Sequence, residues 1–144
     1  MRALALLPLL LLLPACDSTS DDGPGDTPGD GLRLVGRFDG VGEPADARQA
    51  SVLLDFGTGG AAPGTSTASL FFRLLDGPGN AIEEVSGPAT VTLGDAGALA
   101  LSCDCTADFR GPLPVQAAGT ATADRLVLTF SGGVAMADVV LTKP

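Results

Sequence analysis

Cys103 and Cys105 are the two side chains in the body of this chain whose type and spacing suit covalent chemistry. In an extended strand, residues i and i+2 share a face with Cα atoms about 6.5–7 Å apart, the upper edge of disulfide geometry. A bridge therefore calls for a bulge or a turn around Asp104. Two readings stay open: a disulfide, permitted in an oxidising compartment and reducible if strained, or two small, partly buried thiols. Structural zinc normally takes four ligands, and the chain has no histidine and no second cysteine pair to complete a set. The lack of histidine also removes His-dependent nucleophilic triads. Glu83 and Glu84 are adjacent, so in a strand they point to opposite faces and form no paired-carboxylate acid/base site. They read as surface charges. Asp104 and Asp108 flank Cys105, where two carboxylates could bind a cation, but they read as part of a solvated loop. Asp138 lies in an apolar run and reads as an outward charge near a strand end. Arg73 interrupts Leu70–Leu75 either as an outward solubilising residue or as an interior charge awaiting a ligand carboxylate. Gly57-Thr58-Gly59-Gly60 lacks the lysine and the following helix of a phosphate-binding loop. No catalytic constellation, metal site or cofactor site is expected, and the chain does not read as an enzyme.

The elements that carry these residues follow period two. Leu32, Leu34 and Phe38 share a face; so do Val52, Leu54 and Phe56. Leu70, Phe72 and Leu74 alternate with Phe71, Arg73 and Leu75, which leaves that strand apolar on both sides except at Arg73. Ala89, Val91 and Leu93 form another face, and Leu99, Leu101, Cys103 and Cys105 the next. Val115, Ala117, Gly119, Ala121 and Ala123 make a face of small residues. Leu126, Leu128 and Phe130 follow, then Ala135, Ala137, Val139 and Leu141, opposite Val134, Met136, Asp138 and Val140. Asp95-Ala96-Gly97, Ala123-Asp124 and Gly132-Gly133 separate these runs at hairpin spacing. Gly77-Pro78-Gly79-Asn80 is a turn, and Glu43–Gln49 has room for one helical turn. The 20 glycines and 11 prolines fit such a turn-rich chain.

The formal net charge is −9. The basic residues are scattered, and nucleic-acid binding, which needs clustered Lys and Arg, is not expected. Acidity of this kind serves solubility. Without Trp or Tyr, aromatic cages for sugars or cations are not expected either.

The first sixteen residues set the expected address. Arg2 supplies one positive charge, and Ala3–Leu13 is an apolar run too short for a membrane span of about 20 residues but suited to a signal peptide. Leu13-Pro14-Ala15-Cys16 resembles the lipobox of bacterial lipoproteins. The resemblance implies cleavage before Cys16, thioether linkage of its thiol to a diacylglycerol, and membrane attachment through acyl chains. The alternative is an ordinary secretory signal cleaved near Ala15. Asp17–Gly31 holds Asp, Gly, Pro, Ser and Thr without a large apolar residue, the composition of a disordered tether. Its aspartates match no calcium-loop spacing. Acidic residues soon after Cys16 also resemble surface-export signals of lipoproteins in Bacteroidetes-type bacteria. The expected organisation is a signal peptide at 1–15, an acidic tether at 16–31 and an all-β domain at 32–144, held at the outer membrane or cell surface rather than the inner membrane. With Cys16 taken as the anchor, Cys103 and Cys105 remain as a pair.

About eight strands joined by short turns predict an antiparallel meander able to close on itself. Leu34-Val35-Gly36-Arg37-Phe38 resembles the opening strand of small bacterial lipocalin-like lipoproteins, with Phe38 where Trp is common. Gly119–Phe130, Gly132-Gly133 and Val140–Lys143 resemble their closing hairpins. The resemblance implies an eight-stranded barrel with one mouth; a β-sandwich is the alternative. Two functions follow as expectations. In one, the barrel's inner face takes a small apolar ligand beside Ala117, Gly119 and Ala121. In the other, the protein is a structural or assembly lipoprotein that meets envelope proteins through its surface, for which an apolar patch around Leu53, Phe71 and Leu75 would speak. Tight filling of the interior by Phe38, Phe56, Phe72 and Phe130 would remove the first.

Overall fold

Eight runs of alternating apolar residues form eight strands: β1 (Arg37–Gly42), β2 (Gln49–Asp55), β3 (Gly64–Leu75), β4 (Ala81–Leu93), β5 (Ala98–Ala107), β6 (Gly111–Ala121), β7 (Arg125–Gly132) and β8 (Met136–Thr142). The computed structural model describes residues 32–45, 47 and 49–144. Each strand pairs antiparallel with the next, and β8 returns to β1 through Asp39↔Thr142 and Gly40↔Leu141, so the meander is a closed barrel. That closure decides between the two expected architectures in favour of the barrel. The expected helical turn at Glu43–Gln49 falls partly outside the described residues, and the described part of it is not helical.

The alternation sorts the side chains. Phe38, Val52, Leu54, Leu70, Phe72, Val91, Leu101, Val115, Leu126 and Leu141 are among the apolar residues that turn inward and are buried. Among the described residues, no polar or charged side chain joins them. Thr90, Thr92, Ser102, Gln116, Thr129 and Ser131 alternate with them and face out. An apolar lumen with a polar exterior is the reverse of a membrane-spanning barrel, whose outside is apolar and whose lumen is polar.

Two of the expected faces need correction. The run Ala135, Ala137, Val139, Leu141 does not share a face. Val134 and Met136 are buried along with Val139 and Leu141, while Ala135 and Ala137 are exposed. The cause is an extra residue in β8: Leu128 pairs with Val139 but Phe130 with Met136. Asp138 takes up the irregularity at φ 51°, a left-handed conformation that Asp tolerates better than most side chains. Its N–H approaches the Thr129 hydroxyl at 3.4 Å. Ala123, expected at the end of the small-residue face, lies exposed in the β6–β7 turn.

The strands also run further than the alternation suggests. β4 starts at Ala81, well before the face of Ala89, Val91 and Leu93, and passes through Gly87-Pro88. β6 begins Gly111-Pro112 and includes Pro114. Pro112 and Pro114 are exposed, and β5 and β6 keep unbroken register past both.

Candidate functional site

The interior is the first place to look for a site, and side chains fill it. Phe72 and Phe130 meet edge to face with ring centroids 5.2 Å apart, and Phe38 and Phe56 do the same at 5.7 Å. Such pairs gain about 0.5–1.5 kcal/mol beyond area burial. Gly119 of β6 leaves no free space beside it. A Cβ on Gly119 would run into the Val127 carbonyl oxygen of β7. The neighbouring strand has therefore moved into the space that a small inner face offers. Eight strands give a lumen that side chains alone can fill. A shallow groove of about 530 Å³ runs over the outside of β4–β7, past Thr90, Thr92, Ser102, Gln116, Thr129 and Ser131.

Cys103 and Cys105 lie on the inner face, each buried, and their sulfurs are bonded with Cα atoms 5.2 Å apart. This separation is shorter than that of i and i+2 in an extended strand. Neither the bulge nor the turn expected around Asp104 is present: β5 stays in register with β6 from Ala98↔Thr120 to Ala107↔Gly111. The accommodation falls on the other neighbour. Pairing of β5 with β4 skips Gly87 and Pro88 between Ser86↔Thr106 and Ala89↔Cys103. A Cβ on Gly87 would lie 2.6 Å from the Asp104 carbonyl oxygen and 2.8 Å from the Cys105 Cα. Glycine is thus the residue that lets β4 approach the drawn-in segment, and Pro88 has no N–H to offer a ladder.

Arg73 and Arg110 each meet a glutamate of β4. Glu84 receives Arg73 (Nη2–Oε1 2.9 Å), and the Arg73 guanidinium also sits 5.7 Å from the centre of the Phe71 ring. Arg73 therefore belongs to the outside of the barrel, not to its lumen. Glu83 and Glu84 do point to opposite faces, but Glu83 is not a plain surface charge. It occupies the inward phase of β4 at the barrel end, with its side chain only 10% exposed. Its carboxylate accepts from Arg110 (Nε–Oε2 2.9 Å, Nη2–Oε2 2.8 Å) and from the Phe109 N–H at 3.4 Å. The Arg110 hydrogen bond holds the Glu83 carboxyl below its ordinary value near 4.5, with the Arg110 charge and the backbone N–H groups acting in the same direction. Nothing local in the sequence links Glu83 to Arg110. Only the register of β4 with β5 brings them together.

Asp104, Asp108 and Asp138 are all exposed and do not converge. Among the described residues, no three His, Cys, Asp or Glu side chains gather in a metal-binding group. Leu53, Phe71 and Leu75, the expected apolar patch, are each half-buried on the outer face. Among the described residues, the large apolar side chains that stand clear are Val41, Ile82, Phe109 and Val140. Cys16 and the lipobox-like motif lie outside the described residues. No protein-family model matches this chain, and neither a curated protein nor a solved structure matches it.

Proposed function

We propose that this protein is a lipid-anchored envelope protein, tethered through Cys16 and acting through contacts on the outside of its barrel. The filled interior carries this reading. With Phe38, Phe56, Phe72 and Phe130 buried in edge-to-face pairs, an apolar ligand would have to displace core side chains, which is costly in a close-packed interior. The Leu13-Pro14-Ala15-Cys16 motif supplies the anchor. The acidic tether at 16–31 gives the domain reach from the membrane. The reading places the protein at the outer membrane or cell surface, assigns it no catalytic residue and no cofactor, and involves no nucleic acid.

Native mass spectrometry of the protein extracted gently from its host membranes tests this directly. The expected spectrum shows a chain starting at Cys16 with acyl mass attached and no further lipid-sized mass held by the domain. Cys16→Ser should abolish the acyl mass and release the protein from the membrane fraction. A lipid-sized molecule retained by the Cys16→Ser domain would restore the ligand-binding reading. An unmodified chain starting after a different residue would remove the anchor.

A further inference from the structure

We propose that the end of the barrel formed by the Asp108-Phe109-Arg110 turn and Ile82 is the site where a partner protein docks, with Phe109 entering an apolar pocket whose rim is basic. This rests on the surface-contact reading above and gives it an address.

Phe109 is the most exposed large apolar side chain among the described residues, at 81%. It occupies the middle of the three-residue turn between β5 and β6. The turn does not require it. A three-residue hairpin is closed by a left-handed residue at its end, and Gly111 at φ 75° provides that. Turn positions favour Gly, Asn, Asp, Ser and Pro, each for a backbone reason that phenylalanine does not share. The ring gains nothing from burial where it stands, so the fold does not explain its presence.

The turn is also held unusually well for a loop. The Glu83 carboxylate takes both the Arg110 guanidinium and the Phe109 N–H, and the Asp108 N–H donates to the Glu84 carbonyl at 3.0 Å. These contacts fix both flanks of Phe109 and the backbone beneath it. An anchor already ordered in the free protein loses less entropy on binding. Buried aromatic anchors carry a large share of interface energy.

A second apolar side chain is aimed at the same place. Between Leu74↔Glu83 and Leu75↔Ala81 the pairing of β3 with β4 shifts by one, which leaves Ile82 as the extra residue. Bulges re-aim side chains at functional edges, and this one leaves Ile82 44% exposed. Ile82 and Phe109 line one hollow of about 230 Å³ with Glu83, Glu84 and Asp108.

Charge selects the partner. Beside the ring stand three carboxylates, of Glu83, Glu84 and Asp108, against the guanidiniums of Arg73 and Arg110, which Glu84 and Glu83 engage. The remaining acidity, on exposed Asp108, favours a basic rim. It disfavours insertion of the tip among anionic lipid headgroups. The site also lies at the end of the barrel remote from the chain's entry, where Leu34 pairs with Ala61 beside the β2–β3 connection.

Photocrosslinking in intact host cells tests the proposal on the full-length chain. A benzoylphenylalanine is placed at position 109, at 82, at 41 and, as a control on the outer face of β4, at 92. The expected result is a discrete protein adduct from 109 and 82 and none from 92. Adding Asp108→Lys should cut the yield from 109 by about tenfold through like-charge repulsion. Glu83→Gln should lower it as well, while circular dichroism and the melting curve report an intact barrel. Adducts made only with lipid, or with a second copy of this chain, would overturn the proposal. So would an adduct at 109 indifferent to Asp108→Lys. Protein adducts from 41 or 92 but not from 109 would sink the tip and spare the wider surface-contact reading, whereas no protein adduct from any position would sink both.

Discussion

Truncating Phe72 tests whether the barrel is solid, on which the functional reading depends. Phe72 is fully buried and meets Phe130 edge to face at 5.2 Å. A buried phenylalanine hides about 150–250 Å². Removing all but its Cβ forfeits most of the about 1.5–3 kcal/mol that full burial of such a side chain contributes. A residual void of about 60–80 Å³ adds about 1.5–2 kcal/mol at about 24 cal/mol per Å³. Phe72→Ala should therefore cost about 4 kcal/mol, within the range typical of buried aromatic truncations. For a domain of this length that corresponds to a fall in Tm of about 15 °C. Urea denaturation of wild type and variant, read by far-ultraviolet circular dichroism at constant m value, measures the difference. The new void should also admit xenon, which would raise the stability of the variant and leave the wild type unchanged. A loss below about 1.5 kcal/mol, or xenon stabilising the wild type, would mean that the lumen already holds space, and the reading built on a filled interior would fall with it.

Three further outcomes follow from the geometry. Gly119→Ala drives a methyl against the Val127 backbone and should cost about 1–3 kcal/mol by the same denaturation assay. Asp138→Val should lose about 1–2 kcal/mol because a β-branched residue resists the left-handed conformation, while Asp138→Gly should hold or gain stability; the reverse order would remove the strained-bulge account. Because Glu83's carboxyl is held below its ordinary value near 4.5, its contribution is present above that value and is lost as pH falls through the lower, folded one. Thermal melts from pH 7 to pH 2 should show wild type losing part of its advantage over Glu83→Gln on the acid side, and parallel profiles would refute the Arg110 pairing.

Most of the barrel is legible because alternation is a local property. Val52-Leu53-Leu54-Asp55-Phe56 and Leu99-Ala100-Leu101-Ser102-Cys103 declare their inner face by residue type alone, and both runs keep it in the structure. β8 hides its phase because Val134, Ala135, Met136 and Ala137 are all apolar. Either alternation fits, and the bulge at Asp138 selects the one that buries the larger side chains. β4 hides its first half instead: its alternating face is plain only from Ala89, and pairing with β3 carries the strand through Gly87-Pro88 back to Ala81. Closure into a barrel depends on residues about a hundred positions apart, and no short-range pattern encodes it. The same holds for the tip. Phe109 looks like any of the six phenylalanines until the register sets Glu83 beneath its turn.

The closing seam carries a consequence for how the molecule is made and kept. Seven of the eight strand junctions join neighbours in sequence and can zip as hairpins, whereas β1 and β8 meet through just Asp39↔Thr142 and Gly40↔Leu141. Joining distant segments costs loop-closure entropy before any rung compensates. The seam is thus set last in folding and is the first to part in a fluctuation. Amide hydrogens of Asp39–Val41 on that side should exchange with solvent well ahead of those in β5 and β6. An opened seam presents two unpaired edges of complementary register, and at high concentration each can be satisfied by another copy. The same pairing sets the first strand beside the last, so a short linker could join the end of β8 to the start of β1 and new termini be cut at another turn without disturbing the core.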